Sequence, residues 1–191
     1  MIGSRSILHL SLIDGIGPAA IQVLLDKKPD LWQWHDVYQM SALDFKRIFG
    51  FSEDKAQRLV EGLSDQVVLE KELELIEKHK IGLITILDEA YPKILKHIHL
   101  PPAVLYFQGR PLNDSDKGFA VVGARAMNWY GKKAVSMIVP QLVSSGLTIL
   151  SGGAIGIDSV AHRTALEHGG KTIAVLGAGL LEPYPSSNKN L

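Results

Sequence analysis

The chain has 191 residues with 20 basic and 20 acidic side chains, so its net charge is zero. Hydrophobic residues make up 46% and charged residues 21%, the proportions of a folded globular chain long enough for one large domain or for a small domain and a larger one. The absence of cysteine excludes disulfides, thiolate zinc sites and cysteine nucleophiles, no apolar run is long enough for a membrane helix, and Arg5, His9 and Asp14 interrupt any signal-peptide pattern; a cytoplasmic protein without a membrane partner is expected.

In chain order, residues 1–62 read as a small all-helical domain. Ile7, Leu8, Leu10, Leu12 and Ile13 make a first helix. Gly15 and Gly17 turn the chain, and Pro18 suits the first position of the next helix, where a missing N–H costs nothing. A weaker echo follows at Gly50-Phe51-Ser52, with Ser52 placed to cap the following helix. Such hairpins can offer backbone N–H groups to a phosphate; they also serve simply as turns, and the acidic balance of residues 1–80 (ten Lys or Arg against thirteen Asp or Glu) supports that plainer reading. Residues 64–80 place Val68, Leu69, Leu73 and Ile76 on one stripe of an amphipathic helix, with a charged solvent face. Residues 63–191 are expected to form a second, α/β domain. Its first strands are Leu83–Leu87 and Ala103–Phe107; His97 and His99 lie between them at a spacing that does not suit a metal.

From Phe119 the pattern is strand, helix, strand, helix, strand. The strands end at Gly123-Ala124-Arg125, at Ser151-Gly152-Gly153-Ala154-Ile155-Gly156, and at Gly177-Ala178-Gly179. This spacing implies right-handed crossovers and a parallel sheet, with apolar strands expected to be buried on both faces. Ligands of such sheets sit beyond the C-terminal strand ends. Gly123, Gly152, Gly153, Gly156, Gly177 and Gly179 would therefore line one rim, where backbone N–H groups and helix N-termini favour an anion. Arg125 adds a planar, permanently charged fork, and Lys132 and Lys133 follow it, in a segment that holds seven basic and three acidic residues from Lys117 onward. The glycines serve equally well as tight turns. Neither a dinucleotide fingerprint nor a Walker A loop is present, so no cofactor is expected. Asp158 and His162 are one helical turn apart near Ser151, but no nucleophile elbow accompanies them. Asp158 is better read as a cap and His162 as a packed or loop-fixing side chain. Trp129 and Tyr130 suit base stacking or core packing.

Taken together these motifs resemble the DNA processing protein A (DprA/Smf) family. The resemblance rests on Val121-Val122-Gly123-Ala124-Arg125, Tyr130-Gly131, Ser151 to Asp158, Ala161-His162, Gly170 to Gly177, and Tyr184-Pro185-x-x-Asn188, with Tyr91-Pro92 and Pro101 to Gly109 upstream. It covers residues 83–191 strongly and the helical region, of helix-hairpin-helix or SAM-like type, more loosely. It implies an extended Rossmann-like fold that binds single-stranded DNA, protects it, and as a homodimer helps to load the RecA recombinase in natural transformation, without catalytic activity. By motif position Gly123, Ala124 and Arg125 would hold a DNA phosphate, and the Ser151–Gly156 loop would wall the pocket, shaped by Asp158 and His162. Ala124 stands where the family usually carries Ser or Thr. The family continues beyond the last of these elements, so a C-terminally truncated member with an incomplete sheet is expected. The alternative is a nucleotide-binding sensor or nucleotide-cleaving enzyme on a related sheet; the Pro-Gly-Gly-x-Gly-Thr loop and nearby Glu of such enzymes are absent here.

Overall fold

The computed structural model describes residues 2–29, 32–110, 117–182 and 184–186. Asn188 of the last motif lies outside them. The chain is of the α/β class and divides into two compact units, residues 1–113 and 114–191. Among the described residues no helix is long and apolar enough to cross a membrane.

The first unit opens with α1 (Ile2–Leu12) and α2 (Pro18–Lys27), the latter with Pro18 at its first turn as the sequence requires. A 3-10 helix (Trp34–Gln39) leads to α3 (Ala42–Asp44), which runs into a π turn at Phe45–Phe49. Gly50 closes that turn in the left-handed region at φ 76°, which glycine enters without a Cβ penalty. The helix α4 (Glu53–Ser64) begins at Ser52, whose hydroxyl accepts from the Lys55 N–H. Asp65 caps α5 (Gln66–Lys78) by accepting from the Val67 N–H. The core collects Ile7, Leu10, Ile21, Leu24, Phe45, Phe49 and Leu59, all nearly inaccessible, and each contributes about 1.5–3 kcal/mol of burial.

The strands β1 (Gly82–Thr85) and β2 (Val104–Phe107) pair antiparallel, Gly82 opposite Phe107. They belong to this same unit, because Ala103 is buried in the helical core and Leu87 and Val104 pack on it. Asp88 ties the hairpin to α1: its Oδ1 accepts from Ser4 Oγ at 2.7 Å, and its Oδ2 accepts from the Thr85 N–H and hydroxyl. The domain boundary expected at 62/63 thus precedes the division by packing at 113/114.

The second unit is a parallel sheet in the order β3 (Gly118–Ala120), β4 (Thr148–Ser151), β5 (Thr172–Ala174). The register sets Phe119 opposite Ile149, and Ile149 opposite Thr172. The crossovers are α6 (Trp129–Ser144) and α7 (Ile157–Glu167). Val135 and Val139 of α6 and Ala161 and Ala165 of α7 pack together on Ile149, so both helices lie on that strand's Ile149 face. Burial on both faces, expected from the apolar strands, holds for the central β4, whose residues are buried or half-buried, and is corrected at the flanks: all three residues of β3 are exposed, and Val175 just beyond β5 is 66% exposed. Two crossovers running in the same direction put their helices on the same side.

Candidate functional site

The C-terminal ends of β3 and β4 lead into two loops that touch. Gly156, at φ 88° and ψ −129°, precedes α7. A Cβ at this position would stand 2.3 Å from the Ala124 carbonyl oxygen and 2.5 Å from that of Arg125. Only glycine lets the two backbones approach this closely. The Ile157 N–H, at the start of α7, donates to the Ala124 carbonyl at 3.3 Å. The Ile157 side chain fills the space beside Gly123 and Gly131, where added Cβ atoms would meet it at 2.7 and 3.1 Å. The N-termini of α6 and α7 therefore meet around Ile157, beside the Gly123–Arg125 loop. Both helix dipoles present their positive ends there.

Asn128 starts α6, its Oδ1 accepting from the Gly131 N–H at 2.8 Å. The N–H groups of Gly123, Ala124 and Arg125 make no hydrogen bond within the chain among the described residues, and all three residues are exposed. The Arg125 guanidinium likewise has no partner among the described residues. Lys132 and Lys133 are exposed on the first two turns of α6, which carries no acidic residue. N–H groups and a guanidinium left without a partner among the described residues, beside two helix N-termini, suit an anion.

The second loop is braced from inside. Asp158 is buried, and its Oδ2 accepts from the Gly152 N–H at 3.2 Å and the Ala154 N–H at 3.3 Å. It caps the loop before it rather than its own helix. Ser159 Oγ donates to the Ala154 carbonyl at 2.6 Å. Gly153 is buried at φ 68°, and its missing side chain leaves room for Leu176 beyond β5. Ser151 is buried, and its hydroxyl donates to the Val121 carbonyl at 2.7 Å. That proton ties β4 to the end of β3 and is not available to a ligand. Gly177 and Gly179 are exposed, and a Cβ added to either would meet nothing within 4 Å, so no close packing draws them to the other two loops.

His162 is 1% exposed. Its Nδ1 lies 2.6 Å from Thr172 Oγ1, whose own proton goes to the Ile149 carbonyl at 2.9 Å, so Nδ1 is the donor. His162 Nε2 is buried with no partner among the described residues. Burial lowers its pKa below the ordinary histidine value, against the opposing pull of the Asp158 charge. A neutral ring protonated on Nδ1 fits both facts. His162 thus links α7 to β4 and β5 and is not turned to the rim.

Trp129 and Tyr130 are 72% and 74% exposed, which removes core packing as their role. Their outward direction, the Ser151 hydroxyl bond and the pivotal Ile157 were not readable from spacing. Asn128, a good helix cap three residues before Gly131, was the available signal for where α6 begins. In the first unit, Ile16 of the Gly15–Gly17 turn is core, and the Arg58 guanidinium beside Gly15 lies 3.8 Å from the exposed Asp14 carboxylate. A nearby cleft of 190 Å³ has Asp14 and Asp65 among its lining, a poor setting for phosphate.

Comparison with known proteins points to one family. The profile described as DNA recombination-mediator protein A matches residues 82–191. DNA processing protein DprA of Streptococcus pneumoniae is 43% identical over 115 residues, which cover 60% of this chain and 40% of that protein. Protein Smf of Synechocystis is 31% identical over 188 residues, covering 96% of this chain and 46% of that one. The X-ray structure of DNA processing protein A from Streptococcus pneumoniae aligns with a TM-score of 0.65 at 33% identity, over 92% of this chain and 62% of that one. The chain spans less than half the length of these two curated relatives.

Proposed function

The chain belongs to the DNA recombination-mediator protein A family, and from that premise we propose that it binds single-stranded DNA by its phosphates and acts without catalysis. The observation that carries this reading is the exposed Gly123–Arg125 loop, whose N–H groups and guanidinium have no partner among the described residues, where two helix N-termini meet. Arg125 would hold a phosphate in its fork, assisted by the N–H groups of Gly123 to Arg125. Gly152, Gly153 and Gly156 would form the neighbouring wall, and Lys132 and Lys133 would neutralise adjoining phosphates. Ser151 would shape this wall through its bond to Val121 and not by donating to DNA. In this reading residues 1–62 are the family's small helical domain and residues 63–191 its DNA-binding part. Protection of incoming DNA, loading of the RecA recombinase, a homodimer and a cytoplasmic location belong to the same proposal for the whole protein.

The reading as a nucleotide-binding sensor or nucleotide-cleaving enzyme lacks support. Asp158, the carboxylate closest in sequence to the loops, is buried and engaged by Gly152 and Ala154. Two assays test the choice. Fluorescence anisotropy with labelled oligothymidylate at low salt is expected to show saturable binding, and incubation with nucleoside monophosphates is expected to release no base. Absence of binding, or release of base, would overturn the proposal.

A further inference from the structure

The first turn of α6 carries two aromatic rings that the fold does not use. Trp129 and Tyr130 are 72% and 74% exposed, and neither packs on another aromatic ring among the described residues. An aromatic side chain contributes to a fold chiefly by burying its large surface, which these two forgo. They are nevertheless held on a fixed base. Asn128 caps the turn through the Gly131 N–H at 2.8 Å, and Gly131 abuts Ile157 of α7. The Lys133 ammonium sits 4.9 Å from the centroid of the Trp129 ring and occupies one of its faces. Successive helical residues are about 100° apart, so the two rings address different sectors around α6. Both follow Arg125 by four or five residues, on a helix with two lysines and no carboxylate.

We propose that Trp129, with Lys133 on one face, is a base-stacking platform that makes this site select unpaired nucleotides, Tyr130 offering a second ring. The proposal rests on the reading that the Arg125 loop holds the DNA phosphate. Bases in a duplex stack on one another and offer no free face, whereas every unpaired base presents one. Stacking on Trp129 therefore discriminates single strands from duplex with little dependence on sequence. The cationic, carboxylate-free turn favours a polyanion over an ordinary protein surface as the occupant.

The test compares the intact chain and its variants on oligothymidylate and on an oligonucleotide of the same length with abasic sites. The wild-type chain is expected to prefer the base-bearing strand about fivefold or more. Trp129→Ala should bring that ratio close to one, Trp129→Phe should keep most of it, and Arg125→Ala should weaken both strands alike and leave it intact. Intrinsic fluorescence gives a second readout. Oligothymidylate should quench the wild-type emission, and the quenching should disappear in Trp129→Phe, whose remaining Trp32 and Trp34 pack against the core of the first unit. A wild-type ratio near one, a ratio unchanged in Trp129→Ala, or quenching unchanged in Trp129→Phe overturns the platform. Loss only of self-association in Trp129→Ala assigns the ring to a protein contact and overturns it as well. In each of these cases binding by the wild-type chain leaves the phosphate reading standing, whereas a wild-type chain that binds neither strand removes both.

Discussion

Replacing Gly156 by alanine probes the contact on which the site is built. The backbone there has φ 88° and ψ −129°, a conformation in which an L side chain costs roughly 1–3 kcal/mol. The added Cβ would also stand 2.3 and 2.5 Å from the carbonyl oxygens of Ala124 and Arg125. These are main-chain atoms and cannot rotate aside. One loop must move away from the other, at a cost of about 1–3 kcal/mol by analogy with overpacking. The bond from the Ile157 N–H to the Ala124 carbonyl would be strained by the same movement. The sum, roughly 2–6 kcal/mol, is a large part of the 5–15 kcal/mol of a typical domain. Urea unfolding followed by far-UV circular dichroism measures it, with Gly177→Ala as the control. Gly177 has nothing within 4 Å of an added Cβ and no positive φ, so its substitution should shift stability by less than about 1 kcal/mol. Because the chain has two units, midpoints of the same transition are compared. Gly156→Ala as stable as Gly177→Ala would refute the close approach of the two loops.

Asp158 and the buried histidines give further tests. Asp158→Ala should cost about 1–3 kcal/mol in urea unfolding, because the Gly152 and Ala154 N–H groups lose their acceptor, and Asp158→Asn should recover part of that by keeping one carbonyl oxygen. Equal stability of all three chains would contradict the loop-capping role. Acidification should destabilise the chain as the pH falls through the ordinary histidine range, because His9 and His162 are both held below it by burial. The unfolded chain then takes up protons that the folded one refuses, at a slope of at most about 1.4 kcal/mol per pH unit for each ring. His162→Asn should flatten its share of that slope in thermal unfolding between about pH 7.5 and 5; a melting temperature that rises on acidification would be the contrary result.

The chain's alternation of apolar runs and glycine turns made the parallel sheet legible, as did Pro18, Ser52 and Gly50 the helical turns before it. These signals are local: a cap or a breaker acts within a few residues, and so it can be read from them. Of the candidate rim, the sequence marked the loops after β3 and β4, which touch at Gly156, since glycines after strands mark turns at strand ends; close packing does not join Gly177 and Gly179 to them. Its detail was not. Whether Ser151 faces a ligand or the neighbouring strand depends on the position of the Val121 carbonyl, 30 residues away in sequence. That Trp129 faces outward depends on which side of α6 packs on Ile149. The hairpin of β1 and β2 joins the helical core through Ala103, a contact between segments far apart in the chain that no periodicity encodes. Strand hydropathy, likewise, does not say which face of a sheet its helices cover.

The salt dependence of oligothymidylate binding, measured side by side for the intact chain and for Arg125→Ala, tests the phosphate-gripping rim most directly. Each phosphate neutralised on a single strand contributes about 0.7 to the slope of log K against log salt. Without its guanidinium the variant should bind about tenfold more weakly or worse at low salt, since a charged hydrogen bond contributes about 1.5–3 kcal/mol, and its slope should be shallower by about 0.7. Equal affinity and equal slope for the two chains would contradict the assignment of Arg125 and of the loop that carries it.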